Sequence, residues 1–488
     1  MKQEKIINIR LVLHTIGSLL FFEAAFMLIA AAVSYIYGEP DFHSLLLSFG
    51  ITLGVALLFY FSKKEEHQQY LKKREGYLIV ALIWIVFSVF GSLPFFMSGY
   101  IPRYTDAFFE TMSGFTTTGA TILNDVEILP HGLLFWRSII QWLGGMGIIV
   151  LFLAILPVFG IGGMQLYVAE FPGPIKDKLR PRVAQTAKFL WGIYTILTLI
   201  EAILLTIGGM SFFDAVCHSF TTVATGGYST KNASIAYWNS PFIEYTVIFF
   251  MMIAGINYAI IYAALKGNFK KLYQNEELKF YLLFGFGFSL ITVIGLLFTQ
   301  NLGAEASIRT GTFQVFSLMT GTGYSTANYM NWIPFLWSFM FFIMIIGGCA
   351  GSAAGGLKTV RVALLLKNSY HEFKRLLHPN AVIPVKFNQR VVPAQIITNV
   401  LAFVVLYALI AIVSILIFTL LGIGFIESIG TVVSCLSNVG PGLGSVGPMD
   451  NYSLFPDAAK WYASFLMLIG RLEIFTVLFV LMPSFWKR

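Results

Sequence analysis

The stretch Phe213–Thr230 reads FDAVCHSFTTVATGGYST. It is too short to cross a bilayer, which takes about 20 apolar residues as a helix. It lies between two long apolar runs and passes from an amphipathic run to hydroxyl-bearing residues and then glycine. The pattern returns three more times: DAFFETMSGFTTTGATIL from Asp106, TFQVFSLMTGTGYST from Thr312 and IESIGTVVSCLSNVGPGLG from Ile426. Alignment on the last glycine before the bulky or ring residue gives Gly119, Gly227, Gly323 and Gly440, separated by 108, 96 and 117 residues. A near-constant period marks one structural unit used repeatedly. Four copies imply four quarters around one axis.

The rest of the chain agrees with a membrane setting. Of 488 residues, 57% are hydrophobic and only 11% charged, against about 25% charged in a soluble domain. Mean hydropathy is +0.76. The apolar runs predict an all-α polytopic membrane protein with ten spans. Leu11–Tyr37 and Leu45–Ser62 form an N-terminal pair without a glycine segment; the first is too long for a signal peptide. Each quarter then has a span, a half-length helix, a glycine segment and a span back. The outer spans are Tyr77–Gly99, Lys188–Met210, Lys279–Gln300 and Pro393–Leu421. The return spans are Leu133–Phe159, Phe242–Leu265, Ile333–Leu366 and Ala458–Pro483. The chain divides into the N-terminal pair (1–75) and quarters at 76–187, 188–278, 279–392 and 393–488.

Lysine and arginine set the orientation. Segments 1–10, 63–75, 162–188, 266–279, 358–390 and 487–488 hold 26 of the 32 such residues. With both termini cytoplasmic, all six segments are inside and all four glycine segments face outward. The net charge of +8 is therefore a topology signal, and a nucleic-acid partner is not expected. Membrane lipid is. Cys217, Cys349 and Cys435 have neither metal-ligand nor disulfide-framework spacing and read as buried free thiols.

Irregular backbone at membrane depth costs several kcal/mol per unsatisfied group unless it lines water or an ion. Glycine permits backbone angles closed to other residues, so successive carbonyls can point into a narrow axis. Rings of such carbonyls can replace the hydration shell of a potassium ion. A half-helix ending there turns its negative C-terminal end toward the axis, which favours a cation. The order hydroxyl, glycine, aromatic in Thr322-Gly323-Tyr324 is a shortened potassium-channel filter.

With TTTGAT at 116–121, ATGGYST at 224–230, TGTGYST at 320–326 and SNVGPGLG at 437–444, the chain resembles the TrkH/KtrB/HKT superfamily of potassium transporters, most closely the bacterial TrkH type. The resemblance covers nearly the whole chain, including the N-terminal pair. It implies four repeats of helix, pore helix, filter and helix around one pore per protomer. Filter residues carry over to Thr117, Thr118 and Gly119; Thr225, Gly226 and Gly227; Thr322 and Gly323; and Asn438, Val439 and Gly440. In plant relatives a serine at the first filter glycine goes with sodium permeation, so Gly119 favours potassium as the transported ion. The fourth segment departs from the pattern, with Asn438 and Pro441 near its glycine. The resemblance also implies a homodimer in a bacterial cytoplasmic (inner) membrane and a cytosolic nucleotide-binding regulatory subunit of the TrkA type. Basic inner loops such as Arg180–Lys188 and Lys358–Arg375 are candidate docking surfaces, although topology explains the same charges.

GGCAGSAAGG at 347–356 interrupts the third return span. Small residues at this density weaken a helix and also suit close helix packing. The resemblance implies instead a flexible intramembrane loop beneath the filter that gates the pore, built on Gly347, Gly348, Gly351, Gly355 and Gly356. Lys358 and Arg361 follow it, to contact the loop or to anchor the helix end. Arg471 lies deep in the last span, where a charge faces a cavity or a partner. The resemblance places it in the pore below the filter; a structural ion pair is the other reading. Glu23 and Glu201 read as structural hydrogen-bonding groups. No histidine reads as a ligand. The GxGxxG match at 442–447 has no preceding strand or following helix to make a dinucleotide site.

Three other functions are weighed. A proton- or sodium-coupled potassium symporter needs an intramembrane titratable relay, which Glu23, Glu201 and Glu473 do not evidently form. A polytopic membrane enzyme needs clustered His, Asp or Ser at one membrane face, which the sequence lacks. A sodium-selective pore is disfavoured by Gly119. The expected function is non-enzymatic potassium translocation.

Overall fold

A computed structural model of the protein describes residues 7–62, 72–147, 183–300 and 302–487. Many of the helices start and end within a few residues of the apolar runs. The N-terminal pair is α1 (Ile9–Tyr37) and α2 (Phe42–Tyr60). Gly38, left-handed at φ 69°, closes α1 by donating its N–H to carbonyls of the last turn, as a helix C-cap glycine does. The two helices press together at Gly17, where a Cβ would come 2.7 Å from the Tyr60 nitrogen.

The first quarter has α3 (Lys73–Gly91), the short α4 (Leu93–Met97), the half-length α5 (Tyr104–Phe115) and α6 (His131–Trp142). Beyond α6 the chain loosens into a π turn at Leu143–Gly147. The remainder of the predicted span to Phe159 lies outside the described residues, as do most of 63–75 and 162–188. The second quarter has α7 (Val183–Ile207), the half-length α8 (Phe212–Val223), α9 (Pro241–Ala254) and α10 (Tyr258–Leu265), followed by α11 (Phe269–Gln274). The third has α12 (Glu276–Thr299), α13 (Ala304–Thr320), α14 (Pro334–Ile346) and α15 (Thr359–Leu377). The fourth has α16 (Ala394–Leu420), the half-length α17 (Phe425–Ser437), α18 (Asp457–Arg471) and α19 (Glu473–Leu481), then α20 (Pro483–Trp486). A two-residue antiparallel pair, Lys386–Phe387 with Arg390–Val391, interrupts the helices between α15 and α16.

Among the described residues, six helices are long and apolar enough to cross a membrane, and eight if two sharply bent pairs each count as one span. The sequence reading took the return spans, other than the third, as continuous, and the structure corrects this. The second bends by 101° between α9 and α10, and the fourth by 117° between α18 and α19. The third opens into the loop between α14 and α15. The physical reason is shared. Gly144, Gly255 and Gly470 sit where a Cβ would collide with the ends of the half-length helices or their neighbours: the Phe115 carbonyl, the Tyr281 hydroxyl and the Leu436 carbonyl. Glycine-rich sequence at these levels admits the close approach and weakens the helix.

The half-length elements explain why so much chain sits at membrane depth without crossing. Twelve residues of α5 or α8 rise about 18 Å at 1.5 Å each, against a hydrocarbon core of about 30 Å. The third is longer than its predicted start at Thr312. It begins at Ala304, its first turns supported by the Glu305–Arg309 pair at 2.9 Å, a favourable spacing on a helix. Cys217, Cys349 and Cys435 are free and buried.

Candidate functional site

The four half-length helices end where the glycine segments begin, and the segments share one backbone pattern. The residue two before each aligned glycine is left-handed: Thr117 (φ 53°), Thr225 (55°), Gly321 (75°) and Asn438 (53°). The glycine is left-handed as well: Gly119 (81°), Gly227 (74°), Gly323 (80°) and Gly440 (97°). The residue between them, Thr118, Gly226, Thr322 or Val439, is not. In an ordinary strand successive residues point to opposite sides. Alternating left-handed with ordinary residues instead turns neighbouring carbonyls toward one side. A β-branched residue at positive φ is an outlier costing about 1–3 kcal/mol. The positions of Thr117 and Thr225 are therefore held by the surrounding structure.

The turn that starts each segment repeats too. Backbone N–H groups of Thr118, Gly226 and Val439 donate to the carbonyls of Ser113, Thr221 and Ser434 at 2.9, 2.8 and 2.9 Å. The third quarter uses Gly323 to Ser317 at 3.1 Å.

The segments meet in a closed ring. A Cβ on Gly119 would collide with the Gly226 carbonyl oxygen, one on Gly227 with that of Thr322, and one on Gly323 with that of Val439. One on Gly440 would come 2.6 Å from the Thr118 oxygen. Each quarter's glycine thus abuts the carbonyl of the next, and the fourth returns to the first. Asn438, the departure from the pattern, uses its side chain to close this last joint. Its Nδ2 donates to Thr118 Oγ1 and to the Met467 carbonyl, both at 2.9 Å. A cavity of about 140 Å³ has Gly119, Gly227, Gly323 and Gly440 all in its walls.

Tyrosines brace the ring from outside. Tyr228 donates its hydroxyl to the Glu110 carbonyl at 2.7 Å, and Tyr324 to that of His218 at 3.1 Å. Each tyrosine follows its segment's glycine and reaches back to the preceding quarter's half-length helix. Ala120 and Pro441 occupy that place in the first and fourth quarters. There Tyr452 donates to the Gly440 carbonyl at 3.0 Å and Tyr329 to that of Gly442 at 2.7 Å.

Sequence reading missed a buried charge pair behind the first two segments. Arg137 Nε donates to Glu110 Oε1 at 2.7 Å, with the side chains 3% and 0% exposed. Gln141, one turn further along α6, donates from Nε2 to the Gly226 carbonyl at 2.7 Å and accepts from the Tyr228 N–H at 3.0 Å. A signal was available: an acid in FFETM and a base in FWRSIIQW are opposite charges in two apolar membrane elements, where charges are seldom tolerated alone.

Arg471 ends α18 directly beside the ring. Its Nη1 donates to Thr117 Oγ1 at 3.0 Å and to the Ala353 carbonyl at 2.8 Å, and its Nη2 to the Gly144 carbonyl at 2.6 Å and to that of Gly145. Glu473 pairs instead with Arg361, so an Arg471–Glu473 ion pair is not what holds this arginine. The loop at 347–356 lies against the same end of the ring. A Cβ at Gly355 would collide with the Ser437 carbonyl oxygen, and Gly321 lies close to the Gly355 nitrogen. Gly347, Gly351 and Gly356 are left-handed, as is Lys358 at φ 73°. Gly348 packs beside Ala354 and accepts from the Thr359 N–H at 2.9 Å.

The loop is tied down on its other side. Asn257 Nδ2 donates to the Ala350 carbonyl at 2.6 Å, the Ala350 N–H donates to Glu277 Oε1 at 2.6 Å, and Lys358 Nζ donates to the Ala354 carbonyl. Close packing and contact with the residues that follow are therefore both present. Structural hydrogen bonding, the sequence reading for Glu23 and Glu201, is not found among the described residues: the carboxylate oxygens of both are buried without a hydrogen-bond partner, those of Glu201 beside Thr222. The GxGxxG stretch forms a tight turn, with the Gly442 N–H donating to the Val446 carbonyl at 2.6 Å.

Comparison with known proteins agrees over the whole chain. The family model described as a cation transport protein, TrkH, matches residues 47–487. The Trk system potassium uptake protein TrkH of Escherichia coli is 42% identical over 99% of this chain and 100% of its own length. The protein of the same name from Halomonas elongata is 39% identical, with 99% and 100% covered. The crystal structure of the potassium transporter TrkH from Vibrio parahaemolyticus matches with a TM-score of 0.89 and 36% identity, covering 99% of this chain and 100% of that one. Full-length likeness at this identity, joined to ten apolar runs and four glycine segments, makes this chain a multi-pass membrane protein of the TrkH family of cation transport proteins.

Proposed function

We propose that this chain is the potassium-translocating subunit of a Trk-type uptake system in a bacterial inner membrane, with both termini cytoplasmic. The observation that carries the reading is the closed ring of four left-handed glycine segments, a geometry suited to presenting backbone carbonyls to a dehydrated cation. In this reading Thr117–Gly119, Thr225–Gly227, Thr322–Gly323 and Asn438–Gly440 form the filter of four repeats, at 76–187, 188–278, 279–392 and 393–488. The glycine loop at 347–356 is the gate, held closed through Lys358 and Arg471. The relatives' names as uptake proteins support translocation in place of catalysis. A homodimer served by a cytosolic nucleotide-binding subunit of the TrkA type completes the system.

Potassium and sodium flux into liposomes holding the purified protein tests this. Wild-type protein is expected to pass potassium in preference to sodium. Gly119→Ser puts a side chain into the space of the Gly226 carbonyl at φ 81° and is expected to lower that preference. Unchanged selectivity would remove Gly119 from the filter.

Coupled symport is the second reading, favoured by the buried carboxyl groups of Glu23 and Glu201, which can carry protons within the membrane. Potassium flux that follows its own gradient in the presence of an uncoupler would exclude proton coupling.

A further inference from the structure

The four quarters differ most in what stands behind their glycine segments. The residue nine positions before the aligned glycine is Glu110, His218, Gln314 and Thr431 in turn. Only the first is a carboxylate, and it meets a base. The Glu110 carboxylate accepts from Thr121 Oγ1 at 3.0 Å and from the Ile122 N–H at 2.9 Å, both just past Gly119. It also accepts from Arg137. Arg137 donates onward to the Ser229 carbonyl at 2.9 Å, just past Gly227, and lies 3.6 Å over the Tyr228 ring. Gln141 then holds Gly226 and Tyr228 from the same helix. Three side chains thus fix the first two segments to each other, Glu110 and Arg137 through charge-assisted bonds, which are shorter and stronger than neutral ones, and Gln141 through two neutral bonds. Among the described residues, the third and fourth segments have no ion pair in this place.

A carbonyl cage that can contract would take the smaller sodium ion as readily as potassium. Discrimination needs carbonyls whose positions are held from behind, as the partners of metal ligands hold those ligands. We propose that Glu110, Arg137 and Gln141 are positioning residues that set the potassium-over-sodium preference, acting through the first two segments without touching the ion. The inference rests on the reading of those segments as a filter.

The test is the ratio of potassium to sodium flux in liposomes holding full-length protein. Glu110→Gln keeps the size and an acceptor for Thr121 and Ile122 but removes the charge facing Arg137. The ratio is expected to fall about tenfold, the usual scale for losing such a supporting partner. Arg137→Lys keeps the charge but loses the fork that reaches Glu110 and Ser229 together. Its ratio should lie between those of wild type and Arg137→Met.

A folded Glu110→Gln protein with the wild-type ratio overturns the proposal and leaves the pair a purely structural bridge. If Glu110→Gln does not fold, Gln141→Leu decides, since it removes two neutral bonds to the second segment and no charge. A lowered ratio supports the proposal and a wild-type ratio overturns it. Failure of the pore reading looks different: wild-type protein would itself pass potassium no better than sodium.

Discussion

Arg471 Nη1 donates to Thr117 Oγ1 at 3.0 Å, so a half-buried cation is fastened to the first residue of the first glycine segment. The same guanidinium holds Ala353 of the loop and Gly144 of the π turn. It clasps ring to loop, and in the proposed function it is also a charge beside the cation path. Both roles oppose flux. Two unit charges ~8 Å apart at an effective dielectric of ~20 repel by about 2 kcal/mol, more than a tenfold effect on passage. Arg471→Ala is expected to raise potassium flux into liposomes by about that factor. Loss of folded protein, seen as aggregation on size-exclusion chromatography, would show instead that the arginine is mainly structural.

The clasp has a steric counterpart at Gly355. Its φ is ordinary, so an alanine suits the local backbone, but the added Cβ would collide with the Ser437 carbonyl oxygen at the start of the fourth segment. The loop must then move away from the ring. Gly355→Ala is expected to raise basal potassium flux several-fold and to lower stability by about 1–3 kcal/mol, the usual cost of overpacking. Flux at or below the wild-type value would show that the loop does not obstruct the path.

Most of this architecture was legible in the sequence because membrane burial leaves a strong record. Apolar runs as long as Ala394–Leu420 have few other uses. The glycines at 119, 227, 323 and 440 were legible for a different reason. Each needs a positive φ and a missing Cβ, and only one residue type supplies both. What the sequence hid depends on distance in the chain. Opposite charges in two apolar elements hint at Glu110 and Arg137 as partners, but nothing near Tyr324 names His218. Such partners are chosen by how the quarters dock. The bends after Gly255 and Arg471 were hidden because each run as a whole is as apolar as a straight span. The left-handed threonines were hidden because threonine rarely adopts that conformation. Asn438 read as a flaw in the fourth segment; it is the residue whose side chain joins that segment to Thr118.

A charge pair, Arg361 with Glu473, holds the chain just past the loop, and its role can be separated from that of Arg471. Arg361 follows the loop in α15 and pairs with Glu473, which opens α19 at φ 54° just past the 117° bend. Arg361 also donates to the Leu357 carbonyl at 3.0 Å and lies 4.0 Å over the Phe403 ring. Both partners are largely buried, with side chains 5% and 16% exposed. Removing one partner leaves a buried charge uncompensated, which costs about 3–5 kcal/mol, whereas replacing both by apolar groups is often nearly neutral. Glu473→Gln should therefore lower thermal stability in detergent markedly, and Arg361→Met combined with Glu473→Leu should recover most of it. Flux separates the remaining roles. If the pair only supports the fold, the stable double variant conducts like wild type. If it anchors the loop beneath the ring, the double variant is as stable as wild type yet passes potassium faster in the absence of any regulatory subunit. The second outcome is expected, because Arg471 and Arg361 hold the same stretch at Ala353 and Leu357, and releasing either hold frees the loop to move.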